Sequence, residues 1–145
     1  MHLAQLNIAK PKFAMDSVGM ADFVNNIDPI NTIAENSPGF IWRLKDDSGN
    51  ATGIHIFDDP QLIVNMSVWQ NVQSLKQFMF KTHHIDFLKR KKEWFEPLDS
   101  ASYVMWWIED GHMPDVKEAE KRLIHLREHG ESEFAFSFKF AAKAG

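Results

Sequence analysis

The chain has 145 residues, no cysteine and a formal net charge of −4 at neutral pH. That length suits a single domain over residues 1–145, burying about 70% of its unfolded surface. Missing cysteines remove disulfides, thiolate nucleophiles and cysteine-held zinc, the acidic balance gives no electrostatic case for nucleic acid, and no apolar run is long enough to span a membrane.

The opening segment has neither a basic nor an apolar leader region, which points to the cytoplasm. His2–Ala9 alternates at period two and is predicted to be the first strand, with Leu3, Gln5, Asn7 and Ala9 on one face and Ala4, Leu6 and Ile8 on the other. Lys10, Pro11 and Lys12 stop it. A helical region follows over about 17–36, with Met20, Phe23, Val24, Ile27, Ile30, Ile33 and Ala34 as its apolar side. Pro29 inside that run predicts a kink there, or a new helix capped by Asp28. Pro38 and Gly39 end the helix, because glycine supplies the positive φ that a helix C-terminus needs.

Phe40–Lys45 reads as the second strand, with Phe40, Trp42 and Leu44 on one face and Ile41 and Arg43 on the other. Asp46–Gly53 is the clearest loop; Ile54–Phe57 reads as a short strand or a strand extension before the turn at Asp58, Asp59 and Pro60. Leu62–Trp69 is the third strand: Leu62, Val64, Met66 and Val68 alternate with Ile63, Asn65, Ser67 and Trp69. After Trp69 the spacing changes to helical, with Val72, Leu75, Phe78, Met79 and Thr82 recurring every three or four residues. The paired His83 and His84 follow, and a second helical stretch runs to Trp94 and Phe95 before Glu96 and Pro97 close it. The basic cluster Lys89–Lys92 reads as a solvated helix face.

Ser102–Ile108 is a strand by its β-branched and aromatic content. Residues 110–114 are a turn, and Asp115–Gly130 is a helix with Val116, Ala119, Leu123, Ile124 and Leu126 as its stripe. Glu133–Phe140 alternates strictly, with Phe134, Phe136, Phe138 and Phe140 facing one way, and reads as a half-buried antiparallel strand. The order is βαββαβ, the ferredoxin-like arrangement, plus a C-terminal helix and strand; the fold class is α+β. The first sheet of such a fold has apolar residues on both faces and helices for only one, so a homodimer is expected to cover the other.

Asn65 and Ser67 share a strand face with Trp69, and Gln5 and Asn7 add polar groups from the first strand. A polar stripe on a central strand needs partners, so this side of the sheet is expected to hold a small-molecule pocket. The helix after Trp69 is long enough to fold back and bring His83 near it, where an imidazole that titrates near neutrality could manage protons. In an unbroken helix neighbours differ by about 100°, so His84 points away from His83 unless the helix breaks. The ordinary alternatives are a core or rim histidine and a partly wetted strand asparagine. Two adjacent histidines without a carboxylate at matching spacing do not make a metal site. Arg43 is either an ion-pair partner or the anchor of a substrate carboxylate. Trp106 and Trp107 face opposite sides of their strand, so only one of them lines a given cavity.

The strand ending in Trp69, the amphipathic helix and the His83–His84 pair resemble the dimeric α+β barrel superfamily, which includes antibiotic-biosynthesis monooxygenases and haem-degrading monooxygenases. The segment Ala34–Phe40, with its Pro38–Gly39 turn, is similar to the turn that opens the second strand there. Over nearly the whole chain, PGFIWRL (38–44), VNMSVW (64–69), KEWFEP (92–97) and AFSF (135–138) resemble a bacterial family of small proteins described only as a domain of unknown function. The superfamily resemblance implies catalytic roles for His83, Trp69 and Asn7. Asn65, Ser67, Arg43, His84 and Trp106 are then substrate-binding candidates. It implies a monooxygenase-like enzyme that needs no cofactor and acts on a small aromatic or polyketide-like molecule, whose own enolate or phenolate reacts with oxygen. The alternative is a non-catalytic small-ligand or haem-binding protein of the same fold, so enzyme activity stays open. Haem-degrading members carry Asn, Trp and His on corresponding elements, although the Trp-to-His spacing here is closer to the general monooxygenase pattern.

Overall fold

The computed structural model describes residues 1–45, 56–57, 59, 61–82, 84–98 and 100–144. Its elements run β1 (His2–Pro11), α1 (Ala21–Asn25), α2 (Ile27–Glu35), β2 (Phe40–Arg43), β3 (Ile63–Trp69), α3 (Val72–Lys81), α4 (His84–Trp94), β4 (Phe95–Glu96), β5 (Tyr103–Ile108), α5 (Val116–His129) and α6 (Phe138–Ala144). The sheet is antiparallel in the order β2-β3-β1-β5, and the short β4 pairs with the far end of β1 at Lys10 and Pro11. This is the ferredoxin-like α+β arrangement expected from the sequence. Among the described residues no helix is long and apolar enough to cross a membrane.

Period-two alternation splits the sheet into two faces. Ala4, Leu6, Ile8, Val64, Met66, Val68, Val104, Trp106 and Ile108 form one core with Ala119 and Leu123 of α5. Leu3, Trp69 and Met105 form the other with Ala34 of α2, Leu75 and Phe78 of α3, and Phe136. The homodimer expectation rested on one face being left bare; α5 and neighbouring segments cover that face within the chain, so that reason is removed. α5 is well specified: the Asp115 carboxylate accepts from the Glu118 amide at 2.8 Å as an N-cap, and Gly130 (φ 75°) ends it.

Three local expectations are corrected. The helix break falls at Asn26, ahead of Pro29, so Pro29 sits in the first turn of α2, where an amide hydrogen has no helical partner to lose. In β2 a register shift between Phe40 and Trp42 inserts an extra residue, so Phe40 packs with Trp69 while Ile41, Trp42 and Leu44 lie against the opposite core. The strand expected over 133–140 is reduced to one rung: Met105 and Phe136 exchange backbone hydrogen bonds of 2.7 and 2.9 Å. The chain then turns into α6, because Glu131 accepts from both the amide and the hydroxyl of Ser137 and holds that residue as a helix start. Of the four phenylalanines only Phe136 is fully buried, and Phe134 is 37% exposed. The predicted loop Asp46–Gly53 and most of Ile54–Phe57 lie outside the described residues; Ile56 makes a single bridge to Asp59.

Gly39 shows why the turn before β2 carries glycine. Its φ is +85°, and a Cβ there would collide with the Ser74 side chain of α3. Its carbonyl accepts from the Gln70 amide at 2.8 Å, tying the start of β2 to the start of α3.

Candidate functional site

The register lays the face covered by α2 and α3 out as rungs across the strands. The first is Trp107–Leu3–Trp69–Phe40, the second Met105–Gln5–Ser67–Arg43, and the third Tyr103–Asn7–Asn65. The first is apolar: Leu3 and Trp69 are fully buried while Trp107 at its edge is 36% exposed, and Trp69 lies edge-on to Phe40 at 5.4 Å and stacked on Phe78 of α3 at 5.3 Å.

The second rung carries the polar network. Ser67 Oγ accepts from Trp69 Nε1 at 2.8 Å and from Gln5 Nε2 at 2.7 Å. The same Gln5 nitrogen donates to Asn65 Oδ1 at 2.8 Å. Gln5 and Ser67 are 4% and 7% exposed, whereas Asn65 is exposed and Asn7 half-buried. Hydrogen bonding therefore runs from a buried indole outward to the third rung. Leaving a buried donor unpaired costs about 1–3 kcal/mol, so the network holds these side chains in place. Arg43 pairs with Glu35 of α2, Nε to carboxylate 3.6 Å, which is the ion-pair alternative for that residue.

The helix after Trp69 breaks. α3 starts on an Asn71 cap that accepts from the Ser74 amide at 2.8 Å and ends at Thr82, whose backbone is extended. The Thr82 hydroxyl donates to the Phe78 carbonyl at 2.6 Å and accepts from the His84 amide at 3.2 Å, joining α3 to α4. This break turns His84 inward, reversing the orientation expected of an unbroken helix. Its ring packs 4.8 Å from Phe78, and Nδ1 lies 3.2 Å from the Met79 carbonyl. Burial holds its pKa below the ordinary histidine value, against the smaller opposing effect of that carbonyl. His83 lies outside the described residues.

Asn7, Asn65, Ser67 and Trp69 are thus brought to one face, with Arg43 at the β2 end of the row and His84 behind Phe78. Trp106 is not: it belongs to the opposite core, where Nε1 donates to a Glu118 carboxylate oxygen at 2.8 Å. Sequence reasoning missed Tyr103, which completes the third rung beside Asn7 and whose ring stacks on Phe138 at 5.4 Å. Parity puts Tyr103 on a face with Met105 and Trp107, but only the β1–β5 register shows which face that is.

A cavity of about 280 Å³ opens beside this rung, lined by Met79, Phe80, Leu88, Lys91, Tyr103 and Phe138. Pockets for drug-sized ligands run to about 300–1,000 Å³, so this one suits a small molecule. A porphyrin exceeds the volume of this cavity, and His84 is engaged with Phe78 and the Met79 carbonyl. Among the described residues no three His, Asp or Glu side chains gather as a metal cage would require.

Residues 2–145 match the family model described as "Domain of unknown function (DUF3291)". No curated protein matches the chain. Several solved structures share its fold at low identity. A conserved protein from Methanosarcina mazei is 11% identical with a TM-score of 0.57, over 75% of this chain and 94% of that one. Rv0793 from Mycobacterium tuberculosis is 10% identical with a TM-score of 0.54, over 78% and 100%. SnoaB from Streptomyces nogalater, described as a cofactor-independent oxygenase, is 12% identical with a TM-score of 0.50, over 79% and 98%. These likenesses show the fold alone, the ferredoxin-like α+β arrangement described above.

Proposed function

The chain belongs to the family described as a domain of unknown function (DUF3291), and from that premise we propose that it is a monooxygenase-like enzyme acting without a cofactor on a small aromatic or polyketide-like molecule. The observation that carries this reading is the hydrogen-bonded row from buried Trp69 through Ser67 and Gln5 to Asn65, beside Asn7 on the sheet face covered by α2 and α3. A purely structural face would bury apolar groups there at lower cost. Asn7 and Asn65 hydrogen-bond the substrate oxygens, buried Trp69 holds the row in place through Ser67, and His83 exchanges protons with the substrate as it becomes an enolate or phenolate. The protein's part is to exclude water and orient; the activated substrate itself reacts with oxygen. Likeness to a solved oxygenase supports the reading at the level of fold, which by itself leaves the chemistry open.

A non-catalytic ligand carrier is the second reading. It is favoured by the chemistry of the row, whose amides, hydroxyl and indole exchange no proton near neutral pH. An oxygen electrode with dithranol, an enolisable tricyclic aromatic, separates the two. Turnover above the buffer rate that falls at least about tenfold in Asn65→Ala and Trp69→Phe supports the enzyme, the loss expected of an interaction made in the transition state. Saturable dithranol binding without oxygen uptake supports the carrier. A Soret band developing with haemin at one equivalent would instead show a haem site that the described residues do not form.

A further inference from the structure

The cavity beside the third rung has a chemistry that the oxygenase reading does not use. Five of its six lining side chains, Met79, Phe80, Leu88, Tyr103 and Phe138, present apolar or aromatic surface, and the sixth is Lys91. The Tyr103 hydroxyl is buried without a hydrogen-bond partner. Burial also pushes its pKa up, so it is a neutral O–H donor throughout the physiological range. A buried donor with no acceptor is unusual in a native fold, because the unpaired group costs free energy that an incoming acceptor recovers. Lys91 is exposed and stands near the end of α4. It lines the same cavity, and a lysine in that setting lays its stem on apolar surface and keeps its ammonium in water, available to a negative charge entering from outside.

We infer that this cavity binds a small aromatic acid, the ring lying among Met79, Leu88 and Phe138 and the anionic oxygen taking the Tyr103 hydroxyl and the Lys91 ammonium. Ring stacking is already in use there: Tyr103 lies on Phe138, and Phe80 meets Phe138 at 5.7 Å. The basic cluster Lys89–Lys92, which reads from sequence as a solvated face, thereby contributes one residue to a site. The inference rests on this sheet face being a ligand site, but it concerns equilibrium binding and not oxygen chemistry.

The test is calorimetric titration of the full chain with 2-naphthoate and with its neutral analogue 2-naphthalenemethanol. Naphthoate should bind at least about tenfold more tightly, the advantage of a charge-assisted acceptor over a neutral one. Tyr103→Phe keeps the ring and removes only the hydroxyl; it should weaken naphthoate about tenfold or more while melting temperature is unchanged or raised. Lys91→Gln should weaken naphthoate several-fold, leave the alcohol unaffected and flatten the salt dependence. Naphthoate binding that is absent at millimolar concentration, equal to that of the alcohol, or unchanged in both variants overturns the inference. Normal binding without dithranol oxidation removes the oxygenase reading alone, and oxidation without naphthoate binding removes this one alone.

Discussion

Ser67 is the residue on which the polar row turns, because one oxygen accepts from two buried donors. Ser67→Ala leaves the Trp69 indole and one Gln5 hydrogen without that acceptor, and should cost about 2–4 kcal/mol in urea unfolding. Asn65→Ala, at the exposed end of the same row, should cost less than about 1 kcal/mol. If Asn65 proves the more costly of the two, the row is not anchored at its buried end. His84 makes a pH prediction of definite sign. Its folded pKa is lowered by burial, so as pH falls through the ordinary histidine value the unfolded chain takes up its proton first. Stability attached to His84 is therefore intact above about pH 6.5 and is lost as pH drops toward the lowered value. Unfolding curves at about pH 7.5 and about pH 5 should show a larger loss in the wild type than in His84→Gln. The inward turn of this imidazole was legible only conditionally: sequence spacing places His84 for an unbroken helix, and the Thr82 hydroxyl that joins the two helices has no periodic signature. Asn65 and Ser67 were legible in full, because strand parity alone puts them on the Trp69 face, whereas Gln5 reaches that face through the β1–β3 register.

At the scale of elements, strands and helices followed the hydrophobic period wherever the chain also supplied a cap or stop. The C-terminal segment shows where the period misleads. Alternating phenylalanines describe a strand, but a strand needs a partner edge, and the β5 edge gives this segment one rung before the Ser137–Glu131 interaction starts α6. Phe136 nonetheless belongs to the core at 1% exposure, so Phe136→Ala should destabilise by about 3–5 kcal/mol in chemical denaturation. A loss below about 1 kcal/mol would make the tail peripheral. The Pro38–Gly39 turn was legible as a turn but not in its role: α2 already ends at Glu35 on Asn36, and Gly39 opens β2 instead, where Gly39→Ala meets both a positive φ and the Ser74 side chain. It should cost more than about 1 kcal/mol by the same measurement. The bulge in β2 was invisible to alternation, since one extra residue changes the parity of everything after it.

For the whole molecule, the decisive element is α5. It buries Ala119 and Leu123 against the sheet face that a bare-sheet dimer would use. A homodimer would therefore have to use another surface, and light scattering at micromolar concentration, set against 16.8 kDa for one chain, checks whether it forms. Leu123→Ala should cost about 2–5 kcal/mol, as for a core leucine. A dimer whose stability is insensitive to Leu123 would place its interface elsewhere. The rung arrangement also has a kinetic side. β1 comes first in the chain, yet its partners in the polar row lie far along it: the Gln5–Ser67 bond closes 62 residues, and the rung beyond it reaches Tyr103 through Asn7. Contacts of such sequence separation gain nothing until their loops close, so folding belongs to the slow, millisecond-to-second regime of non-local topologies. No fragment of the chain can assemble the row before β1 has paired with β3. Recovery of tryptophan fluorescence after a denaturant jump should then coincide with recovery of naphthoate binding, two clocks reading a single event.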